Sequence, residues 1–154
     1  MQLNKVVVTD SSCFILFDKI NALNILNDLF GIVLTTPEVA AEYGSPLPEW
    51  VIIQKVDDFN LQQKFYQHVD KGEASAIALA CEVHPDFLIL DDLEARKFAA
   101  KLGLPVKGSA GVLVQAKQNG IIATVKPYLD LMQQTNFRIA SSVIETVLKE
   151  AGEY

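Results

Sequence analysis

Short apolar runs alternate along the chain with stretches of helical periodicity. Lys5-Val6-Val7-Val8 is a β-branched run ending at Thr9-Asp10, and a continuous run of this kind predicts a strand buried on both faces. Asp10-Ser11-Ser12 then supplies helix-capping residues, and Leu16, Ile20, Leu23, Leu26 and Phe30 fall on one face of a helix that stops near Gly31. Ile32-Val33-Leu34 predicts a second strand, Thr36-Pro37 opens a helix that ends in the loop at Gly44-Ser45-Pro46, and Val51-Ile52-Ile53 predicts a third strand. Leu61, Phe65 and Val69 have helical spacing; Gly72 interrupts the chain, and Ala74, Ile77, Ala78 and Cys81 begin a new helical face. Phe87-Leu88-Ile89-Leu90 is a strand closed by Asp91-Asp92. Ala95, Phe98, Ala99 and Leu102 return to helical spacing, Leu104-Pro105-Val106 is briefly extended, and Val112, Leu113 and Ala116 continue as helix to Asn119-Gly120. Pro127 opens a further helix, and Ala140, Val143, Ile144 and Val147 mark the last.

Elements alternating in this way predict an α/β fold with a central, mainly parallel sheet covered by helices. No repeat, low-complexity segment or linker interrupts residues 1–154, so a single domain is expected, with a helical C-terminal extension over about 126–151. With 50% hydrophobic and 21% charged residues, disordered and collagen-like classes are excluded. The longest apolar runs fall far short of the ~20 residues of a membrane helix, so no membrane partner is expected. Met1-Gln2-Leu3-Asn4-Lys5 leads straight into the first strand with no secretory pattern, which makes the cytoplasm the expected location. Cys13 and Cys81 have no metal-ligand spacing and read as small core residues; His68 and His84, isolated among polar residues, read as surface histidines.

Charge changes the picture. The net charge of −6 argues on average against nucleic acid, but the average hides a pattern. Residues 1–94 carry 5 basic and 15 acidic side chains. Residues 95–138 carry Arg96, Lys97, Lys101, Lys107, Lys117, Lys126 and Arg138 against Asp130 alone. A chain divided in this way can hold cations in one place and a polyanion beside it, although a basic helix facing solvent gives the same count.

The acids fall where a parallel sheet collects ligands, beyond the carboxyl ends of its strands. Asp10 closes the first strand and Asp91-Asp92 closes the strand over 87–90. Glu73 lies in the first turn of the helix after Gly72, and Glu42 in the helix after the second strand. Glu38 is one turn earlier, but by 100° steps Glu42 is nearer the buried side marked by Val39 and Tyr43. Each acid has an ordinary use as a cap or helix-dipole partner; Asp91 with Glu94, for example, has capping-box spacing. Together they would repel, at about 4 kcal/mol for two charges ~4 Å apart at an effective dielectric of 20. Such a cluster persists by holding a divalent cation or by keeping protons, and an all-oxygen donor set suits Mg2+ or Mn2+. No nucleophile elbow, P-loop or dinucleotide fingerprint is present. Gly108-Ser109-Ala110-Gly111 could cradle a phosphate at a helix start, or simply cap that helix.

Five segments taken together resemble a known family: Val7-Val8-Thr9-Asp10-Ser11-Ser12, Thr36-Pro37-Glu38-Val39-Ala40-Ala41-Glu42, Gly72-Glu73-Ala74-Ser75-Ala76-Ile77-Ala78-Leu79-Ala80, Leu88-Ile89-Leu90-Asp91-Asp92-Leu93-Glu94-Ala95-Arg96, and Leu102 through Leu113. Their order and spacing are similar to those of a PIN domain, the fold of the VapC-type toxin ribonucleases, and most of all to a poorly characterised prokaryotic PIN subfamily. The resemblance implies a three-layer α/β/α fold and a catalytic set of Asp10, Glu42, Glu73 and Asp92. It implies Mg2+ or Mn2+ held chiefly by Asp10 and Asp92, with Asp91 a rival and Glu73 beside them, while Glu42 and Glu73 hold water or a second ion. Ser12 matches the small polar residue that supports the first aspartate. The resemblance further implies cleavage of RNA, contact of Arg96, Lys97 and Lys101 with substrate phosphates, a homodimer, and a small antitoxin as partner. Two residues depart from the pattern: Glu73 stands where aspartate is commoner, and Leu90 where many members have a hydroxyl. A catalytically weak module of the same fold, binding RNA or a protein, is the alternative. An aspartyl phosphatase needs a second Asp where Ser12 stands, and a phospho-receiver needs paired acids after the first strand, where there is one.

Overall fold

The computed structural model describes residues 5–137 and 139–154; Met1–Asn4, which the sequence reading leads into the first strand, and Arg138 of the basic stretch lie outside the described residues. Five strands, β1 (Val6–Thr9), β2 (Ile32–Thr35), β3 (Val51–Ile53), β4 (Phe87–Ile89) and β5 (Val106–Lys107), form one sheet in the order β3-β2-β1-β4-β5. Every pairing is parallel, with Val8 beside Leu34 on one side and Leu88 on the other. Val7 and Val8 are consecutive, so they point to opposite faces, and both are fully buried. Helices therefore cover the sheet on both sides, in a three-layer α/β/α arrangement.

The helices among the described residues are α1 (Ser11–Lys19), α2 (Asn24–Leu29), α3 (Pro37–Tyr43), α4 (Phe59–Phe65), α5 (Lys71–Val83), α6 (Leu93–Lys101), α7 (Ser109–Gln118), α8 (Lys126–Gln133) and α9 (Ser141–Glu150). Three differ from the pattern-based reading. The single helix expected from Ser11 to Phe30 is two, because Asn21 turns the chain with φ 56°, a left-handed conformation that asparagine tolerates. Gly72 does not interrupt the chain; it lies in the first turn of α5, which begins behind Asp70. Nor is α5 amphipathic over its length. Its residues from Gly72 to Ala80 are all buried, and their small side chains let α3, α4, β1 and β4 approach from several directions. Cys81, expected in the core, is half-buried beyond that segment, whereas Cys13 is buried.

This topology fixes where a ligand can sit. The chain runs outward from β1 to β2 and β3, then crosses back to place β4 on the other side of β1. The strand order reverses between β1 and β4, and in open parallel sheets the crevice beyond the strand ends at such a reversal is the binding position. Asp10 follows β1 there and Asp91-Asp92 follows β4; the Asp10 amide still bonds the Ile89 carbonyl at 3.2 Å, locking the two strand ends together.

Candidate active site

Asp10 occupies the N-cap position of α1, yet its carboxylate makes none of the usual capping bonds to the second or third amide of that helix. The side chain is 3% exposed, and Oδ1 has no hydrogen-bond partner among the described residues. Burial pushes its pKa up to about 7; the Ser11 amide pulls the other way, and Glu73, Asp70 and Glu42 add repulsion. An aspartate with an ordinary capping role would have its charge satisfied by helix amides. This one is buried among acids with an oxygen to spare.

Glu42 reaches the same edge from α3. Ser11 Oγ donates to its Oε1 at 2.9 Å. Its carboxylate lies over Gly72 in the first turn of α5, so close that a Cβ at residue 72 would stand 2.0 Å from Oε1. The lack of a side chain at Gly72 is thus what seats Glu42. Glu42 is nevertheless the more exposed of the two α3 acids, contrary to the helical-wheel estimate. Glu38 is half-buried and accepts from the Gln62 amide on the α4 side. Underneath, Thr36 and Ser75 hydroxyls pair at 2.6 Å and Ser75 donates to the Gly72 carbonyl at 2.7 Å, tying α3 to the start of α5.

Glu73 is third in α5 and forms a reciprocal capping box. Its amide donates to Asp70 Oδ1 at 2.8 Å, and the Asp70 amide donates to Glu73 Oε1 at 3.2 Å. Glu73 is 8% exposed. Burial raises its pKa to about 7, with Asp70 and Asp92 contributing repulsion against a lowering backbone bond. Asp70 is an acid of this cluster that the sequence reading passed over, although Asp70-x-x-Glu73 was a signal for it. Ser11 was likewise passed over in favour of Ser12, which is half-buried one residue further on.

The two acids after β4 divide their work. Asp92 is exposed and caps α6, accepting from the Ala95 amide at 2.9 Å. Asp91 is not that cap, and the expected pairing with Glu94 is absent because both of its oxygens accept from Ser109, Oδ1 from the amide at 2.7 Å and Oδ2 from the hydroxyl at 2.6 Å. This clasp fastens the end of β4 to the start of α7, with Arg96 beside it lowering a pKa that burial raises. Both Asp91 oxygens are thus engaged with Ser109, whereas Asp92 faces solvent. The same clasp occupies the Ser109 amide, the first of α7.

Of the basic stretch, much is spent internally. Lys107 donates to Gln115 at 2.6 Å and lies 4.2 Å from the centre of the Phe87 ring. Lys117 is paired with Glu153 at 3.0 Å, and Lys126 with Asp130 at 3.1 Å. Arg96, Lys97 and Lys101 ride on α6, the helix that Asp92 caps; Lys97 and Lys101 are exposed, and Lys97 has an exposed partner, Glu94, at 3.8 Å. His68 is exposed and stacked on Phe98, and His84 is an exposed C-cap.

The donor chemistry fits a hard divalent cation: all oxygen, mutually repelling, with one buried oxygen unpartnered. The acids are not drawn to a common point, however; among the described residues no three His, Cys, Asp or Glu side chains form a metal-holding group. Glu73, Asp92 and Glu42 each have a protein donor instead. Among the described residues no helix is long and apolar enough to cross a membrane.

No curated protein matches the chain. A family model, DUF3368, described as a PIN domain, matches residues 6–153, almost the whole length. PIN domains are in general nucleases that use divalent metal ions. With an all-parallel sheet in the order 3-2-1-4-5, acids gathered where that order reverses, and a match across both, the chain belongs to the PIN-domain family.

Proposed function

We propose that this PIN domain is a Mg2+- or Mn2+-dependent endoribonuclease whose chemistry takes place at the acidic edge between β1 and β4. One observation carries the reading: the buried Asp10 carboxylate, unpartnered at Oδ1 and raised to about pH 7 by burial and by its acidic neighbours. A group held so far from its preferred charge state gains most from a cation. Asp10 and Asp92 are the main ligands in this reading, with Glu73 beside them. A bound ion supplies charge stabilisation at the phosphoryl oxygens and lowers the pKa of a water. Glu42, seated by Gly72 and Ser11, and Glu73, held by its capping box, orient water toward the phosphorus. Ser12 supports Asp10, and Arg96, Lys97 and Lys101 hold substrate phosphates on the adjoining helix.

In the same reading the whole chain is one functional unit, works in the cytoplasm as a homodimer, and is the toxin of a toxin–antitoxin pair. A cavity of about 710 Å3 between the start of α6, α7 and α9, bordered by Asp91 and Arg96 and lined by Val114, Phe137 and Val143, offers a small protein a place to dock beside the acids.

A second reading, a catalytically weak module that binds RNA or a protein, is favoured by one feature: Glu73, Asp92 and Glu42 are all engaged with protein donors rather than collected around a point. Incubation of RNA with purified protein and Mg2+ or Mn2+ separates the two. Cleavage that is lost in a folded Asp10→Asn variant supports the enzyme. Equal cleavage by both proteins removes it, and retention of RNA without cleavage in any divalent ion supports the module.

A further inference from the structure

Beside the acidic edge, a second cleft of about 300 Å3 opens between α3, α4 and α5. One wall is a face of α4, and the aromatic residues of that helix split into two roles. Phe65 is buried and meets Phe98 edge-on at 5.3 Å, which fixes α4 to the body of the protein. Phe59 and Tyr66 are seven residues apart, so they share a helical face, and each is 53% exposed. Both line the cleft, with Gln63 beside them. Gln62, on the same wall, is buried and donates to one carboxylate oxygen of Glu38 across the cleft. Lys71 and Ala74 of α5 form the floor toward the acids.

The cleft and the acidic edge are built from the same two helical turns. Lys71 precedes Gly72, on which Glu42 rests; Ala74 follows Glu73; and Glu38 is one turn before Glu42. The cleft and the acids therefore share the walls formed by α3 and the start of α5. Its lining is flat aromatic surface with an amide, a carboxylate and one ammonium around it. That combination suits a flat ring with a polar edge better than an aliphatic chain, and every nucleobase has a π-face and a hydrogen-bonding edge.

We infer that this cleft is a nucleobase subsite: an unpaired base of the RNA strand stacks on Tyr66 and Phe59, its edge meets Gln63 and Glu38, and Lys71 meets the adjoining phosphate. The inference rests on the ribonuclease reading above and deepens it, since it makes the substrate single-stranded at this position. Stacking is indifferent to charge, so the two rings add affinity without adding to the salt dependence of binding, which at this subsite comes from Lys71 alone.

The test measures binding in the Asp10→Asn background with Mg2+ present, by fluorescence anisotropy of a labelled single-stranded oligoribonucleotide and of a duplex of equal length. Tyr66→Ala and Phe59→Ala are each expected to weaken single-strand binding about 30-fold, the middle of the range for base–aromatic stacking. Tyr66→Phe, which keeps the ring, is expected to bind like its parent, and duplex binding and the salt slope are expected to stay unchanged. Melting curves matching the parent show that the variants are folded. Unchanged single-strand affinity in both alanine variants overturns the subsite, as does an equal loss on the duplex; a face that serves a protein partner gives the first result. Cleavage by the native protein together with Tyr66-independent binding sinks the subsite alone. Tyr66-dependent binding without cleavage sinks the nuclease reading alone, and no RNA binding by the parent sinks both.

Discussion

The chain carries two blocks of charge, and folding treats them differently. The acidic residues of the first part converge: Asp10, Glu42, Asp70, Glu73 and Asp92 come from four separate elements to one sheet edge, and their neighbours make the buried ones harder to ionise. The basic residues of the later part disperse, with Lys107, Lys117 and Lys126 absorbed into contacts with Gln115, Glu153 and Asp130. Side-chain length and backbone position explain the difference. Asp10 and Asp92 sit at strand ends, and Glu73 in a first helical turn, so the topology places them whatever their mutual repulsion. Lysine has a long flexible stem and finds a local partner. A charge count thus identifies a site only where the backbone leaves the charges no alternative.

The largest loss of activity is expected from a substitution at Gly72. Gly72→Ala puts a methyl group where the Glu42 carboxylate lies, and α5 gains helix propensity from the change. RNA cleavage is expected to fall about 10- to 100-fold, the range for disturbing a group that orients a metal site. Urea unfolding is expected to move by less than about 1 kcal/mol, because the obstructed atoms are the far end of a flexible side chain. Retained activity would show that Glu42 has no part in the chemistry.

The next effect is on pH. The folded pKa of Asp10, about 7, lies above the ordinary value of 3.8, so the folded state keeps a proton that the unfolded chain releases. Its contribution is unpenalised below about pH 4 and becomes destabilising as pH rises toward 7, with a limiting cost of about 4 kcal/mol. Glu73, also raised to about 7, acts in the same direction. Metal-free protein is therefore expected to be less stable at pH 8 than at pH 5 in urea titrations, and Asp10→Asn to flatten that slope. A slope unchanged by the substitution would mean that Asp10 is not the buried acid responsible.

Smaller effects sharpen the contrast between the two β4 acids and between the two kinds of lysine. Ser109→Ala removes one donor from half-buried Asp91 and is expected to cost about 1–3 kcal/mol of stability by thermal melting, with little change in metal response. Replacing Lys97 or Lys101 by alanine is expected to lower the salt slope of RNA binding by about 1 each, whereas Lys117→Ala, whose charge is spent on Glu153, is expected to leave it unchanged.

Much of this architecture was legible as pattern. Strand positions followed from β-branched runs, and the edge that gathers the acids followed from strand ends and first turns. What pattern could not supply was local. Asn21 entering a left-handed turn splits a helix whose hydrophobic face reads as continuous. Asp91 and Asp92 are adjacent in sequence, and only the position of Ser109 after β5 decides that one is clasped and the other is not. The wheel arithmetic favoured Glu42 for its nearness to the buried side, but Glu42 is exposed, and what brings it to the edge is Ser11 and the bare Cα of Gly72.

Whether Asp10 organises a divalent-cation site is tested, without reference to any substrate, by Mn2+ binding read from the electron paramagnetic resonance of the free ion. Saturable Mn2+ uptake is expected of the native protein at pH 8, competed by Mg2+ and absent from a folded Asp10→Asn variant. Equal uptake by the two proteins, or none by either, would contradict it.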